Sequence, residues 1–464
     1  MLLPILAHAD AVEINGIYYF LVSKTKQAEV TGNPNKYSGN IDIPATVEYD
    51  GITYNVTSIG DRAFIENKDV ISVSIPNSVL TIGENAFGYC DITSIIIPNS
   101  VTTLDKKAFN NCRKLESITM GTGITTIGKN AFQMCMVLDK VIVNDLKAWC
   151  QISFSDYPFG WNSGHLYSDE NTEITELVIP DGLTTIKSGA FHGCKYLTTL
   201  IVPNSVTQIE AGAFSNCEGL TEVKLPNSIT YLSGFSGCTG LSSFTIPNSV
   251  STIGSSAFNR CKGLTSVEIP ISVTSIESYA FAESDFKEII IPNNVNSLGD
   301  GAFSGCSKLT EITIGSGVQT IGDKAFGYCQ EITDVYSYSE QVPQTNTTAF
   351  DNSLIEYATL HVPEAAIDSY KATAPWSGFK EIVAISPSGI SKLEASETVV
   401  KCEDGQLIVE GINDGQMVDI YSLNGEKRGS AVGKNGAARI DTNVHTGSIV
   451  VVKMGDKSVK VIVK

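Results

Sequence analysis

Apolar positions return along most of this chain at one long, fixed interval. The dipeptide Ala-Phe ends at Phe64, Phe87, Phe109, Phe132, Phe191, Phe214, Phe258, Phe281, Phe303, Phe326 and Phe350, and Phe235 fills the one gap. Most intervals are 22 or 23 residues; the exceptions are 21, 24 and, from Phe132 to Phe191, 59. A fixed period of this size marks a solenoid. One unit, Cys261 to Phe281, contains Leu264-x-x-Val267-x-Ile269, then Pro270, Val273-x-x-Ile276 and Ala280-Phe281. The leucine-rich part predicts a short strand with alternate residues inward. Pro270 lacks a backbone N–H and ends it. The Asn that often follows the proline (Asn77, Asn99, Asn204, Asn227, Asn248, Asn293) suits a turn. A second short extended run follows. The Gly-x-x-Ala-Phe part, too short for a regular helix, predicts one helical or 3₁₀ turn whose Phe plugs the core. No coil can bury its apolar face alone, so neighbours must stack.

Cysteine stands three residues after nine of these twelve phenylalanines, at Cys90, Cys112, Cys135, Cys194, Cys217, Cys238, Cys261, Cys306 and Cys329. Stacking would file the thiols ~4.8 Å apart with parallel Cα–Cβ vectors. That is wider than a disulfide prefers, so they read as small buried hydrophobes. No Cys-x-x-Cys pair exists and histidine is rare, so no metal site is expected.

The ends differ from the middle. Residues 1–9 are apolar and finish in Ala7-His8-Ala9, which reads either as the end of an export signal or as a frayed apolar tail. Residues 10–57 predict an N-terminal β cap, with strands at Gly16–Val22 and Ala28–Val30. The coils would run over 58–385, with an insertion at 144–171 and a helical cap at 363–380, where Pro363 and Glu364 start a helix and Trp376 and Phe379 fold over the last coil. Ser386-Pro-Ser-Gly389 reads as a linker. Alternating runs at 406–410, 417–421, 448–453 and 458–463, with Asn-Asp-Gly, Asn-Gly and Gly-Asp turns, predict a small antiparallel β-sandwich over 386–464. The expected fold class is therefore mainly β: a right-handed, curved, horseshoe-like stack of β/3₁₀ coils with a C-terminal sandwich.

Composition narrows the function. The 464 residues carry a net charge of −18, and residues from 386 on hold ten acidic and ten basic side chains, so the excess belongs to 1–385. This opposes nucleic acid as a partner, since phosphate binding needs clustered Lys and Arg. No run of ~18 uncharged apolar residues exists to span a membrane as a helix. No zinc-protease, nucleophile-elbow, Walker or dinucleotide motif appears, and no pair of carboxylates stands out for glycoside hydrolysis. No cofactor is implied.

Repeats such as IPNSVTTLDKKAFNNCRKLESI (97–118) and IPNSVSTIGSSAFNRCKGLTSV (246–267) closely resemble the BspA-like, Treponema-type leucine-rich repeats of bacterial surface proteins, over roughly residues 40–362. The cap and VNDLKAWCQISF also look like parts found around such repeats in gut Bacteroidetes. The tail resembles a type IX secretion sorting domain through VDIYSLNGEKR (418–428) and its closing strand pair; it departs where Val444–Ile449 replaces Leu-x-x-Gly-x-Tyr. The resemblance implies a non-catalytic protein, secreted or at the cell surface, that adheres to host matrix or to other bacteria.

What remains for chemistry is the outward side of each first strand. Ile142, Val178 and Ile201, read as lying on three successive coils, would form an exposed β-branched stripe, with Ile96 further along the same row. A neighbouring row turns acidic at Glu222, Glu288, Glu311 and Asp334, with Tyr336 beside it. These nine are the candidate contacts for an extracellular protein; the alternative is that β-branched residues simply suit strands. The insertion holds Trp149, Tyr157, Trp161 and Tyr167, which either pack it onto the neighbouring coils or form an aromatic platform for a glycan.

Overall fold

The computed structural model describes residues 11–155, 165–385, 400–403, 406–421, 427–442, 444, 449–454 and 457–462. The chain divides into two compact units, 1–228 with 233–241 and 229–232 with 242–464.

The first unit opens with an antiparallel meander, Val12–Ile14, Ile17–Val22 and Gln27–Val30, onto which Ile52–Ile59 adds in parallel. From there most coils place one strand in each of two parallel rows, while the first row of the coils across 242–270 holds only a bridge between Thr245 and Glu268. The first row includes Ser94–Ile96, Ser117–Met120, Lys140–Val143 and His165–Tyr167, then Glu176–Val178, Thr199–Ile201 and Glu222–Lys224. The second holds two-residue strands such as Thr81–Ile82, Thr103–Leu104 and Thr126–Ile127. In the second unit the second row runs from Tyr231–Leu232 to Gln344–Thr345. Its first row contains Glu288–Ile291, Glu311–Ile314, Asp334–Ser337, Thr359–Val362 and Glu381–Ala384.

The repeat phenylalanines form the core. Phe64, Phe87 and Phe109 stack at 5.0 Å with rings 1° from parallel. Phe281, Phe303 and Phe326 do the same at 5.4–5.5 Å. Ring spacing follows strand spacing, so each ring covers its neighbour's face.

The Gly-x-x-Ala-Phe segment is not helical. It is a chain of tight turns broken by two left-handed residues per coil, such as Asn85 (φ 51°) and Tyr89 (φ 59°) around Phe87. Its N–H groups alternate in use. Ala86, Gly88 and Cys90 donate to the residue three before them, while Asn85, Phe87 and Tyr89 donate to Lys106, Ala108 and Asn110 of the next coil. A helix would spend all of these bonds within one coil. The alternation satisfies every donor and adds a third ladder between coils.

The cysteines are more than space-fillers. The Cys112, Cys135 and Cys217 thiols donate to the carbonyls of Phe87, Phe109 and Phe191 one coil back, at 2.9, 3.0 and 3.1 Å. Where serine replaces cysteine the bond persists: Ser284 Oγ donates to Phe258 O at 3.2 Å and Ser353 Oγ to Phe326 O at 2.5 Å. None of the eleven cysteines forms a disulfide. Burial pushes the Cys90 thiol up to about 11 and the Cys306 thiol up to about 12.

After the last coil, 3₁₀ turns at Glu364–Ala366 and Trp376–Gly378 flank a helix at Ile367–Ala372. Trp376 and Phe379 are buried and meet Phe350 edge-on at 5.5 and 5.4 Å. They close the phenylalanine column. The linker at 386–389 lies outside the described residues. Beyond it, Val400–Glu403, Gln406–Glu410 and Ala437–Asp441 form one antiparallel sheet. Lys427–Val432, Met417–Tyr421, Ile449–Met454 and Lys457–Ile462 form another. Leu407, Val409, Val418, Ile420 and Val450 share a core. The strands at 400–403, 427–432 and 437–441 join the four runs expected from the sequence.

Candidate functional site: the outward strand face and the insertion

The first-row strands aim alternate side chains at solvent. Ile96 is 66% exposed, Val178 51%, and Ile201 is half-buried. Ile142, expected in the same stripe, is only 5% exposed. The insertion is the reason. It returns a strand, His165–Tyr167, to the edge of Lys140–Val143, and the register seats Ile142 between Thr119 and Tyr167. Val178 instead begins a separate sheet, in register with Ile201 and Lys224. Ile142, Val178 and Ile201 therefore do not lie on three successive coils, and the apolar stripe is interrupted.

Glu222 is exposed and paired with Lys224 at 2.9 Å on its own strand. In the second unit Glu288, Glu311 and Asp334 line up by register, and Thr359 separates them from Glu381 in the same row. Beside them runs Ile290, Thr313, Tyr336, His361 and Val383. Tyr336 stacks on His361, centroids 4.3 Å apart and 12° from parallel, and His361 Nε2 lies 2.9 Å from Asp334 Oδ1. The Tyr336 hydroxyl is held above its ordinary range by burial first, then by the Glu311 and Asp334 charges. Burial and Glu311 do the same to Tyr338. An aromatic pair thus sits inside a row of carboxylates, an arrangement that suits cations and opposes anions. Sequence reasoning missed His361's part, because Asp334 and His361 meet only across coils.

Of the insertion's aromatics, Trp149 follows the packing alternative. Trp149 is 2% exposed, lies edge-on to Phe154 at 5.3 Å, and donates its Nε1–H to Ala190 O at 2.8 Å. A buried indole offers no face to a sugar. It sits on a short helix, Leu146–Trp149, capped by Asp145, whose carboxylate accepts from Lys147 N and Ala148 N. Tyr157 and Trp161 lie outside the described residues. Tyr167 is half-buried with Lys140 Nζ 4.8 Å from its ring centroid, so a cation already occupies that ring face. The structure instead assembles a cluster the sequence did not suggest, His165 with Tyr196, Asp139 and Glu173.

Elsewhere charge pairs span adjacent coils, as in Lys106 with Glu84 (2.8 Å) and Lys187 with Glu210 (2.9 Å). These exposed pairs are worth little each. Among the described residues there is no group of three or more His, Cys, Asp or Glu placed to hold a metal, and no helix long and apolar enough to cross a membrane.

Six copies of a repeat described as the BspA type leucine rich repeat region match residues 46–158, 166–235 and 233–356. The chain belongs to the BspA-type leucine-rich repeat family. Solved structures of leucine-rich repeat proteins resemble this chain. A leucine-rich repeat protein from Bacteroides ovatus ATCC 8483 is 24% identical, aligning 80% of this chain with 90% of its own at a TM-score of 0.45. A leucine-rich cell surface protein from Faecalibacterium prausnitzii A2-165 is 22% identical over 82% of this chain and 96% of its own, at 0.42. The pneumococcal vaccine antigen PcpA is 15% identical over 81% and 98%, at 0.49. No curated protein matches.

Proposed function

We propose that this chain is a non-catalytic binding protein, secreted or held at the cell surface, that adheres to an extracellular protein through the outward face of its first-row strands. The observation that carries the reading is the register of Glu288, Glu311, Asp334 and Glu381 alongside Ile290, Tyr336 and His361. BspA-type repeat proteins in general bind other proteins. A long row of carboxylates next to apolar and aromatic side chains favours a partner segment rich in Lys and Arg with apolar residues between them. Ile96, Val178, Ile201 and Glu222 are separate candidate contacts on the first unit, and in the second unit a few anchors such as Tyr336 dominate the affinity. Delivery to the surface is assigned to residues 386–464, on their likeness to a sorting domain. The burial of Trp149 leaves the glycan reading without its first anchor.

The test is binding of the full chain to immobilised matrix proteins, and to surface proteins of other bacteria, by biolayer interferometry. Wild type is compared with a Glu288→Lys, Glu311→Lys, Asp334→Lys triple variant and with Tyr336→Ala. Binding that weakens with added salt and falls by tenfold or more in the triple variant is expected. Binding indifferent to both changes removes the face from consideration.

A further inference from the structure

Two tyrosines of the second unit lie against glycines where the second strand row runs into the turn segment. A Cβ on Gly254 would meet Cε1, Cζ and Oη of Tyr231, each at 2.5 Å. A Cβ on Gly301 would meet Cε1 and Cδ1 of Tyr279 at 2.5 and 2.7 Å. The backbone asks for glycine at neither place. Gly301 has φ +61°, yet Ser256, Tyr279 and Lys324 carry side chains at φ 56°, 57° and 50° at the same position of their coils. Glu277 occupies the position of Gly254 one coil on, its N–H donating to Ile253 O as that of Gly254 does to Leu232 O. What each glycine admits is the ring of a tyrosine from the coil before. Both glycines are buried beneath these rings, while Tyr231 stays 39% exposed and Tyr279 50%.

The polar surround is fixed and acidic. Glu277 Oε2 accepts from the Tyr231 hydroxyl at 2.7 Å and from the N–H and hydroxyl of Ser255 at 2.9 Å each. Asp300 Oδ1 accepts from Asp323 N at 2.8 Å. The other oxygen of each carboxylate, Glu277 Oε1 and Asp300 Oδ2, takes no donor among the described residues, and both can accept more. Exposed rings held still beside unused acceptors suit a sugar, which has an apolar C–H face and a rim of hydroxyl donors. The carboxylates, with Asp323 beside them, oppose sulfated or uronic chains. The two supporting glycines stand two coils apart, about 10 Å along the stack, so a chain of sugars reaches both rings and a single sugar does not. We propose that this corner of the second unit, with Tyr231 and Tyr279 as its platforms, binds a neutral linear glycan. The site is separate from the outward face of the first row and adds a second binding activity to it.

Isothermal titration calorimetry of the full chain tests this, with cellohexaose, chitohexaose and maltohexaose as neutral probes, a heparin hexasaccharide as the anionic one and hexalysine as a basic peptide. At least one neutral hexasaccharide should bind, and more tightly than the heparin fragment or hexalysine. Its monosaccharide should bind far more weakly. Tyr279→Ala and Tyr231→Ala should each weaken the hexasaccharide by about tenfold. Tyr279→Phe, which keeps the ring, should stay close to wild type. Tyr231→Phe, which loses the hold of Glu277, should fall between wild type and Tyr231→Ala. Tyr328→Ala removes an exposed tyrosine outside the site and should change nothing. An unchanged urea midpoint shows that the alanine variants are folded, as expected for exposed side chains. No binding of any neutral hexasaccharide, tighter binding of the heparin fragment or of hexalysine, or glycan binding that survives both alanine changes would overturn the site.

Discussion

The indole N–H of Trp149 donates to the carbonyl oxygen of Ala190 at 2.8 Å. In regular coils the corresponding alanine carbonyl receives the backbone N–H of the preceding coil's phenylalanine, as Ala86 O does from Phe64 N and Ala213 O from Phe191 N. A side-chain donor has replaced a backbone donor at the place where the repeat is interrupted. The neighbouring Lys187 N to Cys150 O bond completes the splice.

Trp149→Phe should therefore destabilise the first unit. It keeps a buried aromatic but leaves the Ala190 carbonyl without that donor, a loss of about 1–3 kcal/mol. The check is the urea midpoint, with exchange at Phe191 and its neighbours as the local readout. An unchanged midpoint would mean that the bond contributes nothing.

The thiol ladder makes a paired prediction. Cys217→Ser keeps a donor toward Phe191 O, as Ser284 does toward Phe258 O, and should cost within about 1 kcal/mol. Cys217→Val loses the donor and adds bulk to a closed column, and should cost about 1–3 kcal/mol more. Denaturant titrations of the two variants decide it.

Alkaline pH should act through the same column. A thiol whose folded value is raised by burial keeps its proton while the unfolded chain, near 8.5, loses it. Stability is then fully present below about pH 8.5 and falls as pH climbs through about 11, the value for Cys90, and about 12, the value for Cys306. A thiol reagent at about pH 8 should label Cys402 first, since it is the one cysteine that is not fully buried. The others should react only on unfolding. Rapid labelling of Cys90 or Cys306 in folded protein would contradict the burial argument.

Two glycines separate backbone strain from crowding. A Cβ on Gly193 would meet nothing within 4 Å, but φ is +75°. Gly193→Ala should cost about 1 kcal/mol from conformation alone. A Cβ on Gly317 would lie 1.8 Å from Asn293 O, so the backbone of two coils must part. Gly317→Ala should cost clearly more, about 3 kcal/mol. Thermal unfolding of the two variants gives the order.

The sequence by itself determined the coils. Phe87 and Phe109 had to share a column because residues at matching places in a 22-residue period stack once each coil buries its apolar face on the next, and they do so at 5.0 Å. The acidic row was legible for the same reason: Glu288, Glu311 and Asp334 occupy one repeat position, and register follows repeat phase. Tertiary structure decided whatever departs from the period. The 59-residue interval gave no phase for its contents, so it could not be known that Trp149 would turn inward, that residues 165–167 would return as a strand, or that Ile142 would lose its exposure to that strand. The His165–Glu173–Asp139 cluster depends on chain segments brought together by the insertion's path, and no short-range pattern encodes such a path. Hydrogen bonds were hidden as well. A cysteine's place in a repeat tells that it is buried, but only the turn geometry, with its left-handed residues on either side of each phenylalanine, points a carbonyl at the thiol.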